Sequence, residues 1–388
     1  MATLPATADI AIIGAGAIGC SIAYHLGKRG VKNVVVLERD AIGSGTTSKA
    51  AGGIRAQFST PVEIEFSLAS LDFFHRFSDE MGGSCDFREH GYLYCLTSQE
   101  QLDRYTRDVE LQRSMGIDVQ MISPDDARAL VPGLNTHDVL AATWGPRDGY
   151  AGVNEVVQAY ARRARELGVL FCEGTTVTDL RLDGPRVESI ITTEGLLSAG
   201  VVIDAAGPQA AAVGRMIGAV LPVYPRRRHI FVTDDFEGVQ HPVPMVQDRG
   251  SGFYARSEMR SLLMSPGDAE DVGELTDAPP VDWGRLEETV QKAVRRMPAL
   301  GEAGIRSAWA GLRPLTPDEH GIIDQMPGVD NMLAAVGFCG HGFQHSPAIG
   351  MSVAELIVDG HTSIDIAPLG LARFSTGVKP MSDVPEPD

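Results

Sequence analysis

Ala8-Asp-Ile-Ala-Ile-Ile-Gly-Ala-Gly-Ala-Ile-Gly-Cys-Ser-Ile-Ala-Tyr-His-Leu-Gly27, continued by Val34-Val-Val-Leu-Glu-Arg39, sets the architecture of this chain. Ile10 to Ile13 is a short apolar run that stops at a glycine, and Ala17 to Arg29 carries apolar residues at helical spacing. Val34 to Leu37 is a second apolar run and ends at an acid, Glu38. The order reads as strand, glycine turn, helix and parallel strand. Gly14 permits the tight turn, Gly16 lets a pyrophosphate approach the backbone, and Gly19 lets the helix pack close on the strand. Ala15, Ala17 and Ile18 complete the turn, and the helix N-terminus there offers unpaired N–H groups to phosphate. Glu38, with Arg39 behind it, accepts hydrogen bonds from an adenosine ribose. A carboxylate at that place argues against a 2′-phosphate and leaves NAD and FAD open.

A chain of 388 residues holds two domains or one large discontinuous one. Its 33 basic and 51 acidic residues give a net charge of −18, which repels nucleic acid and anionic membranes. The one basic cluster, Arg226-Arg-Arg228, reads as a solvated strand end. Five scattered cysteines without a CxxC pair indicate neither a disulfide framework nor a zinc site, and no metal is expected. No basic region precedes the first apolar stretch, and that stretch is too broken by glycine to span a membrane. A cytoplasmic protein is expected.

From Ala41 to Phe58 the chain is small and hydroxylated, with four glycines. Following the ribose-binding acid, its Ser44, Gly45, Thr46, Thr47, Ser48, Gly52 and Gly53 offer N–H groups and hydroxyls to the same cofactor. A second glycine-rich loop, Gly337-Phe-Cys-Gly-His-Gly-Phe-Gln-His-Ser-Pro347, also precedes a helical stretch. These motifs together resemble the FAD-dependent amine and amino-acid oxidoreductases of the D-amino-acid oxidase, glycine oxidase and sarcosine oxidase type. The chain's size and its Gly52-Gly-Ile-Arg-Ala-Gln-Phe-Ser59 run are most similar to the β subunits of sarcosine oxidase and proline dehydrogenase.

The resemblance implies an α/β fold, with a discontinuous Rossmann-type FAD-binding domain (1–85, 150–220 and 304–375) and an α+β substrate domain. The latter (86–149 and 221–303) contains a mostly antiparallel sheet, and 376–388 is expected to be a mobile tail. The resemblance also brings Val177, Ala206, Gly207, Gly337, Gly340, His341, Gly342, Phe343 and Gln344 to the cofactor. Between these motifs, Pro61 to Met81 reads as a helix with an apolar stripe of Ile64, Phe66, Leu68, Leu71, Phe74 and Phe77. Ser123 before Pro124 reads as a helix cap, and Trp283 to Met297 as a helix after a polar loop, Gly267 to Pro280.

Amine oxidation at a flavin needs a dry face and a group that orients the substrate. An arginine does this for a carboxylate through two parallel N–H bonds. By resemblance, Arg313, in Gly311-Leu-Arg-Pro314, is the first candidate and Arg55 the second. Tyr254 resembles the tyrosine placed over the flavin, His341 fits flavin contact, and His345 has no family counterpart. By the same resemblance Gln344 stands where sarcosine oxidases carry a lysine and Leu263 about where the monomeric enzyme has the lysine linked to oxygen activation, which suggests a dehydrogenase, while the family resemblance leaves an oxidase open. Gly311 and Lys49 fall where relatives attach flavin covalently, and Val153 near where heterotetrameric sarcosine oxidase attaches FMN; non-covalent FAD is expected. The expected substrate is a small secondary or N-methylated amino acid, and the resemblance implies a partner subunit or separate electron acceptor. Two other readings are an NAD-linked dehydrogenase, against which the second glycine loop argues, and a non-catalytic assembly protein, against which the Gly-Leu-Arg-Pro clamp argues.

Overall fold

The computed structural model describes residues 3–267, 270–271 and 279–375. Two sheets organise the chain. In the first, Met332–Val336, Gly195–Asp204, Thr7–Ile13, Val34–Leu37 and Leu170–Cys172 lie parallel in that order. Ile322–Gln325 closes one edge antiparallel, and Val177–Asp183 and Arg186–Thr192 extend Gly195–Asp204 as a meander. The central strands Val34–Leu37 and Met332–Val336 are apolar throughout because both faces of the sheet are covered there. Helix Ala17–Lys28 packs between helices Val153–Glu166 and Gly342–Asp359. Small residues allow that approach: a Cβ at Gly19 would lie 1.9 Å from the Gly14 carbonyl oxygen, and one at Gly350 would lie 2.2 Å from Ser21 Oγ.

The second sheet is mostly antiparallel, as the resemblance implies. Its strands include Tyr92–Leu96, Ala141–Gly145, Tyr224–Thr233, Met245–Asp248, Tyr254–Glu258 and Ser261–Ser265, with one parallel pair, Met245–Asp248 on Tyr92–Leu96. One face packs Leu93, Val246, Phe253 and Phe231 against helix Gly284–Arg296. The other face gathers Tyr92, Tyr94, Met245 and Tyr254. Alternation along each strand separates these two sets.

Several expectations need adjusting. Strand Ile305–Leu315 pairs with Tyr224–Thr233 from Tyr224 opposite Leu315 to Thr233 opposite Ile305, so the chain stays in the second sheet until Leu315 instead of leaving it at 304. The stretch from Pro61 to Met81 forms two helices, Pro61–His75 and Phe77–Met81, divided at Arg76. Arg226, Arg227 and Arg228 are half-buried inside Tyr224–Thr233, the first two paired on both sides and Arg228 with Gly311, which removes them from open solvent. The tail 376–388 and most of the polar loop between Gly267 and Pro280 lie outside the described residues.

Candidate active site

A cavity of about 440 Å³ runs between the two sheets. At one end lies the first glycine turn. Gly14 has φ +103°, and a Cβ there would meet the Ala205 carbonyl oxygen at 2.6 Å, so the turn excludes any side chain. Glu38 is held against this turn: its Oε2 accepts from the Ala15 N–H at 2.8 Å and its Oε1 from the Asp40 N–H at 3.0 Å. Thr47 Oγ1 accepts from the Ala17 N–H at 3.1 Å, which ties the hydroxylated loop to the helix N-terminus.

Of the residues expected to hold cofactor, Gly14, Gly16, Ala17, Ile18, Glu38, Arg39, Gly45, Thr46, Thr47, Gly52, Gly53, Val177, Ala206 and Gly207 all line this cavity. So do Gly337, Gly340, His341, Gly342, Phe343 and Gln344. Ala15, Gly19, Ser44 and Ser48 do not. Ala15 is fully buried beneath the turn, and Gly19 serves helix packing. Ser44 and Ser48 are exposed, and Ser48 Oγ donates back to the carbonyls of Ser44 and Gly45 at 2.8 and 3.0 Å.

The far end of the cavity is formed by the second glycine loop and the second sheet. Gly337, Cys339 and Gly340 all have positive φ, and helix Gly342–Asp359 starts directly after with its N-terminus toward the cavity. Arg313 and Tyr254 both line this end. Arg313 is buried, and its Nη2 donates to the Cys339 carbonyl. Burial, reinforced by the charge of Arg228, lowers its guanidinium to about 9. Such a group gains from an anion beside it.

Arg55 also lines the cavity. Its Nη1 donates to the Gln57 carbonyl at 2.7 Å, its guanidinium carbon sits 3.8 Å from the centre of the Phe58 ring, and its N–H donates to Gln344 Oε1 at 2.9 Å. Asp148 fixes the segment behind it by accepting from the Ala56 N–H and from Gln57 Nε2, each at 2.9 Å. Gln344 is therefore a backbone anchor for Arg55. His345 does not line the cavity: it is buried on Ser67 Oγ at 2.9 Å, and burial lowers its imidazole to about 3, which keeps it neutral.

Sequence reasoning missed Arg228, Glu63 and His320. Arg228 lines the cavity near Tyr254, its guanidinium carbon 5.8 Å from that ring's centre. Glu63 is buried, with His320 Nδ1 at 3.1 Å and His341 Nδ1 at 3.6 Å from Oε1. Burial disfavours its charge, yet the charge and hydrogen bond of His320, and after them the hydrogen bond of His341, hold the carboxyl well below the usual range. The signal for Glu63 was ambiguous, because Thr60-Pro-Val-Glu63 reads as an ordinary capping box. Thr60 Oγ1 does donate to Glu63 Oε2, at 2.9 Å. Among the described residues, no group of three or more His, Cys, Asp and Glu is disposed to hold a metal ion. No described helix is long and apolar enough to cross a membrane.

The donor set suits an adenine dinucleotide whose far end carries a ring system: a glycine turn with Glu38 held against it at one end, and a second helix N-terminus at the other. A cavity that starts at such a turn and ends between two sheets places the protein among the two-domain flavin-dependent oxidoreductases. The chain belongs to the DAO family, FAD dependent oxidoreductases, whose model matches residues 9–356. FAD, not NAD, is thus its cofactor. It is 30% identical to FAD-dependent oxidoreductase domain-containing protein 1 of Bos taurus, over 97% of this chain and 86% of that protein. It is 28% identical to the mitochondrial sarcosine dehydrogenase of Homo sapiens, over 96% of this chain and 42% of that longer protein. The crystal structure of L-proline dehydrogenase from P. horikoshii superposes with a TM-score of 0.90 at 31% identity, covering 96% of this chain and 99% of that one.

Proposed function

We propose that this oxidoreductase oxidises a small secondary or N-methylated amino acid, sarcosine-, glycine- or proline-like, to an imine that water hydrolyses. The observation that carries this reading is Arg313, a buried guanidinium in the wall of the cavity, on the same side as Tyr254 and next to the second glycine loop. Bound FAD supplies the hydride acceptor. Arg313 takes the substrate carboxylate and thereby fixes the carbon beside nitrogen, since a bidentate pair sets direction as well as position. Tyr254 and Tyr92 wall the site with aromatic surface and exclude water. The N-terminus of helix Gly342–Asp359 and the glycines before it would hold the flavin's polar edge, where negative charge develops on reduction. Arg55 is the neighbour that shapes the cavity, being engaged by Gln57 and His341. The names of the two similar dehydrogenases, for sarcosine and L-proline, agree in donor class.

Electrons leave to an acceptor other than oxygen, either a partner subunit or a quinone, because Leu263 stands about where the resemblance places a lysine linked to oxygen activation and Gln344 where it places a further lysine. The test is anaerobic mixing of the FAD-loaded protein with sarcosine, glycine, other N-methylated amino acids, and D- and L-proline, followed by flavin absorbance. Bleaching by one of them is expected, with slow recovery in air. If every amine leaves the flavin oxidised while dithionite reduces it, the small-amine reading is wrong: the site is either tuned to a larger amine or not catalytic, and the assembly reading gains.

A further inference from the structure

Among the described residues, three carboxamides line the cavity: Gln209, Gln247 and Gln344. Two are engaged within the protein. Gln209, at the glycine-turn end, donates to the Ala206 carbonyl at 3.1 Å and accepts from Arg39 Nη2 at 3.2 Å. Gln344 spends its oxygen on the Arg55 N–H at 2.9 Å. Gln247 lies on strand Met245–Asp248, opposite Tyr254 on one side and Tyr94 on the other. Directly opposed residues, and those two apart along a strand, share a face of the sheet. Gln247 therefore projects with Met245 and Tyr254 toward the substrate end, and all three line the cavity. It is only 8% exposed, and among the described residues no group hydrogen-bonds its side-chain amide. A buried amide left unpaired costs stability, whereas the same amide in a cavity wall is a ready partner for a ligand.

Arg313 only donates and so serves an anion, whereas a carboxamide oxygen only accepts and so serves an N–H. The reacting form of a secondary amine is neutral, with one N–H and the lone pair that drives hydride loss. As hydride leaves the carbon beside nitrogen for the bound flavin, that lone pair forms the C=N bond, and the nitrogen becomes cationic while keeping its N–H. A hydrogen bond from a charged donor is roughly twice as strong as a neutral one, so an acceptor at this N–H gains strength on the way to the transition state. We propose that Gln247 is the residue that recognises the substrate nitrogen, its Oε1 accepting the amine N–H while Arg313 holds the carboxylate. This rests on the amine-oxidation reading and adds a second point of attachment, on a different strand from Arg313.

Pyrrole-2-carboxylate and 2-furoate test the contact without chemistry, because these planar carboxylates of similar shape differ in an N–H against a ring oxygen. Titrated into the wild-type holoenzyme and followed by the oxidised flavin spectrum, the pyrrole is expected to bind about 10-fold more tightly, the worth of one hydrogen bond. Gln247→Leu equalises the two, and Gln247→Glu, which keeps an acceptor oxygen in place, retains the preference. Gln247→Asn, which draws the amide back by one methylene, gives the same reading as Gln247→Leu should the latter fail to hold FAD. Equal affinity in the wild type, or an undiminished preference in Gln247→Leu, overturns the proposal. In anaerobic reduction by sarcosine, Gln247→Leu lowers the limiting rate by about 10-fold, more than it raises Kd; an unchanged limiting rate also overturns it. The two claims separate cleanly. A pyrrole preference that needs Gln247 in a protein no amine reduces keeps the N–H site and rejects amine oxidation, whereas amine reduction without any pyrrole preference keeps the reaction and rejects Gln247.

Discussion

Nη2 of Arg55 stands 3.1 Å from Nε2 of His341. A guanidinium N–H only donates, so Nε2 accepts, and the ring proton sits on Nδ1, facing Glu63 Oε1 at 3.6 Å. The same carboxylate oxygen takes His320. A buried acid thus orients the imidazole that steadies a cavity-lining arginine.

Replacing Glu63 by Gln removes the charge that His320 and His341 share, and breaking a buried pair costs about 3–5 kcal/mol. Because the folded carboxyl is held below its ordinary 4.5, its contribution is present above that value and is lost as pH falls through the lower folded pKa. Urea unfolding should show the full gap between wild type and Glu63→Gln at pH 7, narrowing only below about 4.5. A gap that is already absent at neutral pH would refute the assignment.

Gly340 has φ +88°, and a Cβ there would lie 2.5 Å from Arg313 Nη2 and 2.6 Å from its Nε. Gly340→Ala should therefore displace the clamp and slow substrate-driven flavin reduction by about 100-fold, the cost of a small misplacement. Gly328→Ala is the control: its φ is +75° with nothing within 4 Å of the added carbon, so it carries the strain without the clash. Stopped-flow rates that fall equally in both variants would show strain, not Arg313, to be responsible.

Glu38→Gln should weaken FAD binding by about 10- to 100-fold, since hydrogen bonds to a charged acceptor are worth about 1.5–3 kcal/mol. Its contacts to the N–H groups of Ala15 and Asp40 hold the acid at the cavity mouth. Reconstitution of the apoprotein, followed by flavin fluorescence, measures the change; unchanged affinity would remove Glu38 from the ribose site.

Asp204 is fully buried at the end of its strand, and desolvation raises its carboxyl from 3.8 to about 7. The folded state therefore holds a proton that the unfolded chain releases, and the stability it confers is lost as pH rises from about 4 to about 7. Asp204→Asn, which cannot ionise, should gain on the wild type across that window by at most about 1.4 kcal/mol per pH unit. Thermal unfolding of both proteins from pH 4 to 8 checks this; parallel curves would contradict it.

Much of the fold was legible from local pattern. Ile10 to Ile13, the glycine turn and Val34 to Leu37 form the expected βαβ unit, because a glycine turn between buried apolar runs leaves the backbone few alternatives. Arg313, Tyr254, His341 and the second glycine loop converge on one cavity, as the motifs around them implied. The boundary at 304 was misplaced because a strand names its face but not its partner, and Ile305–Leu315 pairs with a segment far back in the chain.

Short-range pattern thus specified the glycine turn and the acid that ends the next strand, because both depend on residues close along the chain, while the oxidoreductase class came from the family resemblance. Long-range packing assigned the rest. Arg226-Arg-Arg228 resembles a solvated run until the antiparallel register sets Arg228 opposite Gly311 and turns it into the cavity. Glu63 passes for a helix cap until helix Pro61–His75 packs on Gly342–Asp359 and brings it to His341. Ser44 and Ser48, chemically suited to phosphate, lie outside because their loop folds back on its own carbonyls. A side chain's type limits what it can do, but only the distances closed by folding decide which neighbour it serves.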